Sequence, residues 1–586
     1  MAENIKIAKG QHLADVMDQI PSNVILNKQI TGCGATTLEI NAARNSIIIE
    51  PNVPVIVGKA TKHPNVFPVY EKVTFEDVEA YLQKQIDGYR KIVTTPEGYD
   101  KKIKPALSKH IKNYKESFFL LFDECEKIIQ DVDYRGDIYL PVDDFFSFSS
   151  KAMVSATPLM PSDPRFAEQG FEMMRVEPTY DYKQRVKLLV TNNTMDALSE
   201  LIRVCKKEVC IFINSTDTIH RVIEGLELQD RCKVFCSDKS VKKLRERGFK
   251  QAYQELQELA DLNFFTSRFY SAVDIELEYK PTVVLLSDVI HAPFSSIDPA
   301  TEVIQAIGRF RQGVKDVWHI SNTNPGMIYY SGGQLEAKLQ SQENVYLQVA
   351  RIAPQNGWEY DAKQTALNGM PYKRFVTTSG DKNYFMWDNA HDDERIKYYY
   401  TNASRLIEAY NRAPLIVNTK EWYRTLTDSD RLHRESETIT KPKRWQTIID
   451  QVQRLKDSSD GKISEEDITN ELGVQFKDMV HAIRVIGPKR IEILKYNDRQ
   501  IVDDVKKTEH FSLVRKELKE SVYELYAEGM TEKVDEVNAM MKILLEEREI
   551  TPIGRVDRRY VELFFEIEDS KIKGIRHFRF IRRKLK

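Results

Sequence analysis

A chain of 586 residues that is 41% apolar, 30% charged and 10% aromatic carries material for several hydrophobic cores, about three to four domains by length, and is not globally disordered. Its formal net charge of −2 excludes a uniformly basic surface, so any nucleic-acid site must be a local patch. No apolar run approaches the roughly 18 residues of a membrane span, and the start, Met1-Ala2-Glu3-Asn4-Ile5-Lys6, has no cleavage pattern. Six cysteines are too sparse for a disulfide framework. The expectation is a cytoplasmic protein with no membrane partner. Cys205, Cys210, Cys232 and Cys236 are spaced more widely than most zinc ribbons and read better as buried strand cysteines.

In chain order, Val24-Ile25-Leu26 reads as a short strand entering the glycine-rich turn Gly32-Cys33-Gly34-Ala35-Thr36-Thr37, and residues 38–44 are helix-compatible. Strand, glycine turn and helix is the context of a phosphate-binding loop, whose backbone N–H groups converge on phosphate oxygens. Thr36 would present its hydroxyl to Mg²⁺, with Thr37 beside it. Ala35 stands where such a loop normally carries its lysine. Lys28, at the end of the preceding strand, is a candidate substitute and equally an ordinary surface lysine. Ser46–Glu50 and Ile92–Thr95 read as further strands, and Phe118–Phe122 is fully apolar and ends abruptly in Asp123 and Glu124. A parallel strand covered on both faces has this pattern, with ligands gathering at its carboxyl end. Ala152-Met153-Val154-Ser155-Ala156-Thr157-Pro158 is another such strand, ending in hydroxyls. Strands separated by helical stretches predict a doubly wound parallel sheet.

The series Gly-x-Gly-x-Thr, Asp-Glu-x-x and Ser-Ala-Thr, each at the end of an apolar strand, resembles the motifs of superfamily 2 helicases of the DEAD/DEAH-like group. A second set of strands follows residue 185: Val209–Ile213, Lys233–Phe235, Asn263–Phe265 and Thr282–Ser287. Thr266 and Asp274 are spaced like the family motif that links nucleotide and nucleic acid across two lobes, although Ala272 stands where glycine is usual and Ser271 where arginine often occurs. Gln305-Ala306-Ile307-Gly308-Arg309-Phe310-Arg311 resembles the family's arginine-finger motif. Its two arginines are two residues apart, a spacing more like that of viral origin-binding helicases, so either Arg309 or Arg311 is open as the finger. The resemblance covers about residues 20 to 322, and Lys315–Ser321 reads as the last strand of the second lobe.

Beyond Asn322 the pattern changes to short helical stretches. Aromatics cluster at Tyr384–Trp387 and Tyr398–Tyr400 near Lys382, Arg395 and Lys397, where core packing is favoured over base stacking. A linker is expected at Thr438–Lys443. Ser464-Glu465-Glu466-Asp467 reads as a capping box opening a helix, Gly473 breaks it, and a second amphipathic helix runs to Gly487-Pro488. With a strand at Ile491–Leu494 this would be a winged-helix-like module; without one, a plain helical hairpin. Two amphipathic helices are expected near 512–528 and 531–549. From Gly574 to Ile581, Ile, Phe and Arg alternate, which predicts an edge strand with Arg576, Arg579 and Arg582 as a phosphate-neutralising strip or a solubilising end.

The expected fold is therefore α/β: two tandem RecA-like doubly wound parallel-sheet lobes (1–180 and 181–323), a helical accessory region (324–440) and an α-rich C-terminal region (441–586). The resemblance implies an ATP-dependent helicase or translocase acting on nucleic acid, DNA favoured, in phage or mobile-element replication beside other replication proteins. In a phage-encoded protein that cytoplasm would be the bacterial host's. It implies ATP and Mg²⁺ as cofactors, Asp123 holding the metal and Glu124 orienting the attacking water. Arg309 or Arg311 would stabilise phosphoryl charge, and Ser155, Thr157, Thr266 and Gln305 would couple nucleotide to nucleic acid. The alternative is a hydrolysis-deficient helicase-like binding or assembly protein, for which Ala35 is the best sign.

Overall fold

The computed structural model describes residues 4–205, 208–271, 274–423, 440–458, 463–473 and 476–584. Ala272 and residues 438–439 of the expected linker lie outside these, as does the Ser271 side chain. The chain divides into two compact units, Met1–Thr425 and Leu426–Lys586. Among the described residues, no helix is long and apolar enough to cross a membrane.

The first unit contains two eight-stranded sheets in which every pairing is parallel. The first comprises β1 (Ile5–Ile7), β2 (Val24–Asn27), β3 (Asn45–Ile49), β4 (Val66–Val69), β5 (Lys91–Thr94), β6 (Phe118–Asp123), β7 (Ser150–Ser155) and β8 (Glu172–Pro178), in the order β1-β8-β2-β7-β6-β3-β5-β4. The second comprises β9 (Gln184–Thr191), β10 (Val209–Phe212), β11 (Cys232–Phe235), β12 (Ala252–Tyr253), β13 (Leu262–Phe265), β14 (Thr282–Ser287), β15 (Asp316–Ser321) and β16 (Leu415–Trp422), in the order β12-β11-β13-β10-β14-β15-β9-β16. These are two RecA-like α/β lobes.

Strand composition explains why both faces are covered. In β6 all six residues are buried: Phe118, Leu120 and Phe122 enter one core, while Phe119 and Leu121 enter the opposite one. The same two-sided division recurs in β14, with Val283 and Leu285 on one side and Val284 and Leu286 on the other. Alternate side chains point to opposite faces, so a continuous apolar run marks a sheet sandwiched between helical layers. The strand cysteines belong to these cores: Cys210, Cys232 and Cys236 are buried, and burial pushes the Cys232 thiol up to about 12.

β16 revises the expected boundary of the second lobe. This strand pairs in parallel along the whole of β9, from Leu415↔Gln184 to Trp422↔Thr191, so Asp316–Ser321 is not the lobe's last strand. The stretch between them packs onto both lobes. Tyr400, Leu406 and Tyr410 enter the second lobe's core, while Phe385 enters the first lobe's. Leu335, Leu339, Tyr346, Met386 and Trp387 cluster with Val132 and Ile138 of the first lobe. Phe385, Trp387 and Tyr400 are thus core, while Tyr384 and Tyr399 are half-buried and Tyr398 is 36% exposed.

The second unit is helical with one small sheet. Ser464 caps the helix Glu465–Leu472 through a capping box with Asp467, and Gly473 ends it at φ 111°. Lys477–Ile486 is the second helix of this hairpin. The strand expected at Ile491–Leu494 is instead the helix Pro488–Ile493, so no wing follows directly. Pro488 at the first helical position is the reason: its fixed φ suits a helix start, and the N–H it lacks has no partner there. A single helix, Asp498–Leu525, runs through the first of the two predicted later helices, and Val534–Glu547 is the second. β17 (Thr531–Lys533), β18 (Phe565–Ile572) and β19 (Ile575–Arg583) form an antiparallel sheet in the order β17-β19-β18. The basic strand β19 is therefore central, not an edge. Its three arginines are met by acids: Arg582 pairs with Glu566 at 2.7 Å, Arg579 stands opposite Glu568 in register, and Arg576 lies 3.8 Å from Asp569.

Candidate functional site

The strand order of the first lobe sets β7 between β2 and β6, so three carboxyl ends deliver their residues to one place. These are Lys28 after β2, Asp123 and Glu124 at the end of β6, and Ser155 to Thr157 at the end of β7. The glycine turn lies above them. Gly32 and Gly34 adopt φ of 76° and 87°, left-handed values that side chains disfavour and that turn successive backbone N–H groups inward. Helix Ala35–Asn41 starts directly from the turn. Cys33 and Ala35 face down and are buried with Leu13 and Leu38. Thr37 is half-buried at the start of that helix.

Asp123 is the meeting point. Its Oδ2 accepts the Thr36 hydroxyl at 2.5 Å, and its Oδ1 lies 3.5 Å from Lys28 Nζ. Glu124 adopts φ 48°, a left-handed value that side chains rarely hold, and this turns its carboxylate into the cleft. Its Oε1 lies 3.8 Å from Lys28 Nζ and 3.8 Å from Arg309 Nη2. Burial alone would raise the Glu124 pKa, but Lys28 and Arg309 outweigh it and hold the carboxyl below the ordinary range. Burial likewise works against the Lys28 ammonium and is outweighed by Glu124 and Asp123, which hold its pKa above the usual lysine value. Glu126 is pushed the other way, upward, by burial and then by Glu124. Glu50 is also driven well up by burial, with Asp123 and Glu124 adding to it.

The second lobe supplies the other wall through helix Glu302–Gly308 and the residues after it. Gln305 Nε2 donates across the junction to Glu124 Oε2 at 3.1 Å, Glu126 Oε1 at 2.9 Å and Thr157 Oγ1 at 3.1 Å. Its own Oε1 accepts from Arg309 Nη2 at 3.0 Å, which aligns that guanidinium. Arg309 is 3% exposed, so its charge is spent inside the cleft rather than on solvent. Arg311 is exposed at the rim and points back to the phosphate loop: a side-chain carbon on Gly32 would lie 3.0 Å from its Nη1. Asp274 ties the two arginines, at 2.6 Å from Arg311 and 3.7 Å from Arg309. Thr157 is linked within its own lobe as well, its N–H donating to Ser155 Oγ at 2.9 Å.

The structure thus brings together Lys28, Gly32, Gly34, Thr36, Asp123, Glu124, Ser155, Thr157, Asp274, Gln305, Arg309 and Arg311. Thr266, by contrast, stands at the end of β13 with its N–H donating to the Phe235 carbonyl, and no side-chain hydrogen bond ties it to the cleft among the described residues. Arg576, Arg579 and Arg582 lie in the other unit. Sequence reasoning left out Glu126 and Glu50. The signal for Glu126 was available, since an acid two residues after Glu124, beyond an apolar strand, has few places to go except the same cleft.

No family model matches the chain, and no curated protein matches it. Solved structures do. The Mycobacterium smegmatis helicase Lhr bound to ssDNA and AMP-PNP is similar at 10% identity over 52% of this chain and 44% of that one, with a TM-score of 0.33. The chain therefore spans less than half of that helicase. S. cerevisiae Dbp5 bound to RNA and ADP BeF3 is similar at 15% identity over 59% and 90%, TM-score 0.34. The DEAD-box helicase Mss116 bound to ssRNA and UDP-BeF is similar at 11% identity over 69% and 90%, TM-score 0.36. Likeness at this level assigns no activity; what the cleft can do follows from its own residues.

Proposed function

We propose that the chain is a nucleic-acid-dependent ATPase of the helicase or translocase kind, acting on DNA in preference to RNA. The observation that carries this reading is the insertion of Gln305 and Arg309 from the second lobe among the acids of the first. A site completed only by two lobes makes hydrolysis and lobe movement one event. The Gly32–Thr37 loop would cradle the phosphates of ATP, and its left-handed glycines suit that approach. Asp123 and Thr36 offer the hard oxygen donors that Mg²⁺ takes alongside phosphate and water, and a metal bound there would neutralise phosphate charge. Glu124, held ionised by its two cationic neighbours, is suited to orient water. Arg309 or Arg311 would meet developing phosphoryl charge with fixed guanidinium donors. Gln305, touching Glu124, Glu126 and Thr157 together, would report lobe closure to the Ser155–Thr157 segment.

The DNA preference rests on the Arg309/Arg311 spacing alone, since the helix Pro488–Ile493 replaces the wing that would also have favoured DNA. A role in phage or mobile-element replication rests on that spacing together with the alanine in the loop. A second reading, nucleotide binding without turnover, is favoured by Ala35. Steady-state ATP hydrolysis measured alone, with oligo(dT) and with oligo(U) tests the nucleic-acid claim. Stimulation of about tenfold or more, larger with oligo(dT), is expected for a coupled motor. Turnover indifferent to both polymers would contradict nucleic-acid dependence, and a larger response to oligo(U) would reverse the DNA preference.

A further inference from the structure

We propose that Lys28 supplies the phosphate-binding ammonium that position 35 lacks, so that the cation of this phosphate loop comes from the end of β2 and not from the loop itself. The inference rests on the reading of the cleft as a nucleoside triphosphate site, and names the residue that binds its terminal phosphates.

Three observations carry it. The loop position is closed to a lysine: Ala35 is 3% exposed, packed beneath the turn with Leu13, Cys33 and Leu38, so a long side chain there would enter an apolar core. The missing charge is nonetheless present at the correct end of the loop. Lys28 Nζ and the Thr36 hydroxyl address the two oxygens of the same carboxylate, Asp123, at 3.5 Å and 2.5 Å. An ammonium beside the Thr36 hydroxyl stands where terminal phosphates meet the metal-binding acid.

The third observation is anchorage. The Lys28 N–H donates to the Ser155 carbonyl at 2.8 Å, continuing the β2–β7 pairing by one residue. The next residue, Gln29, turns sharply at φ 54°, its N–H held by Asn27 Oδ1 at 3.0 Å and its side chain by the Tyr182 hydroxyl at 2.8 Å. The backbone under Lys28 is thus fixed, while a four-carbon stem carries the charge. Lys28 is 7% exposed, and its charge partners are Asp123 and Glu124, the acids that the reading assigns to metal and water. A cation shared between those acids and incoming phosphates binds anionic ligand in proportion to phosphate charge.

In a purely structural role Lys28 would only balance two buried carboxylates. Phosphate number separates the two roles. Binding of fluorescent ATP and AMP to the full chain is measured for wild type and Lys28→Met, which keeps the stem and removes the charge. The expected result is a loss of ATP affinity of about tenfold or more with AMP affinity unchanged, and a fall in turnover of about a hundredfold. Lys28→Arg should retain part of the ATP preference. Equal losses for ATP and AMP, or wild-type turnover in Lys28→Met, would overturn the inference. Where Lys28→Met melts early, the same comparison in a Glu124→Gln background decides, because one of the acids facing the lysine is then neutral. There too, an unchanged ATP-to-AMP ratio overturns it. A wild type that binds no ATP would overturn the nucleotide reading and this inference together.

Discussion

Gly308 lets the arginine-bearing helix come against the phosphate loop. A side-chain carbon at that position would lie 2.8 Å from Thr31 Cβ, closer than carbon atoms approach. The helix that carries Gln305 and leads into Arg309 can reach the acids only because this residue has none. Gly308→Ala should therefore displace the arginines and lower ATP turnover by about tenfold or more while shifting the melting temperature little, since misplacement of about 1 Å is enough to slow a reaction that depends on orientation. Thr31→Gly in the same chain should restore part of the loss. An active Gly308→Ala protein would show that the two lobes do not meet this way during turnover. At this scale the sequence was readable where chemistry is concentrated. Asp123 and Glu124 stood out because they end an apolar strand, Thr36 because it closes a glycine-rich turn, and Gln305 and the two arginines through their resemblance to a family motif. The Thr31–Gly308 contact was not readable, because it is a distance between segments some 280 residues apart and neither residue announces it. The orientation of Lys28 is of the same kind: the residue was visible, the Asp123 carboxylate at 3.5 Å was not.

Among elements, the strands buried on both faces were legible and the marginal ones were not. β6 and β14 each carry an unbroken apolar run that ends in a polar residue, a pattern with few other meanings. β1 has three residues and β12 two, too few for any periodicity, and β16 pairs with a strand more than two hundred residues earlier. The half-exposed alternation of β16 also matches a solvent-facing loop. Ile491–Leu494 failed differently, because β-branched residues suggested a strand while Pro488 started a helix. β16 yields a prediction. Ending the chain at residue 323 removes Tyr400, Leu406, Tyr410 and Leu415 from the second lobe's core and leaves β9 as an open edge. A 1–323 fragment should associate in size-exclusion chromatography and lack a cooperative melt, whereas 1–425 should be monodisperse and melt cooperatively. Equal behaviour of the two fragments would show that the accessory segment is dispensable to the lobe.

For the molecule as a whole, the first unit is built so that its lobes share both a cleft and a covering. Gln305 crosses the cleft to three first-lobe side chains, and the Gln130 amide donates to Thr301 at 3.0 Å beside it. The segment after Asn322 packs on Val132 and Ile138 of one lobe and joins the sheet of the other, so lobe movement must be accommodated by this segment. The second unit has its own two cores, one around Trp445, Ile448 and Phe476 and the other around Val514, Tyr560 and Phe580. Its basic strand is internally compensated by Glu566 and Asp569, which reduces the free positive charge that composition suggested.

In the proposed reading, ATP is hydrolysed between the two lobes by groups from both, despite the alanine in the loop. The most direct measurement is single-turnover ATP hydrolysis in the presence of oligo(dT) for wild type, Glu124→Gln and Arg309→Ala, with ATP binding followed in parallel. Wild-type turnover, lost by about a hundredfold or more in both variants while ATP still binds, is the predicted result. ATP binding without turnover in the wild type would contradict it, and would mean that the loop alanine has left a scaffold that binds nucleotide and does no work.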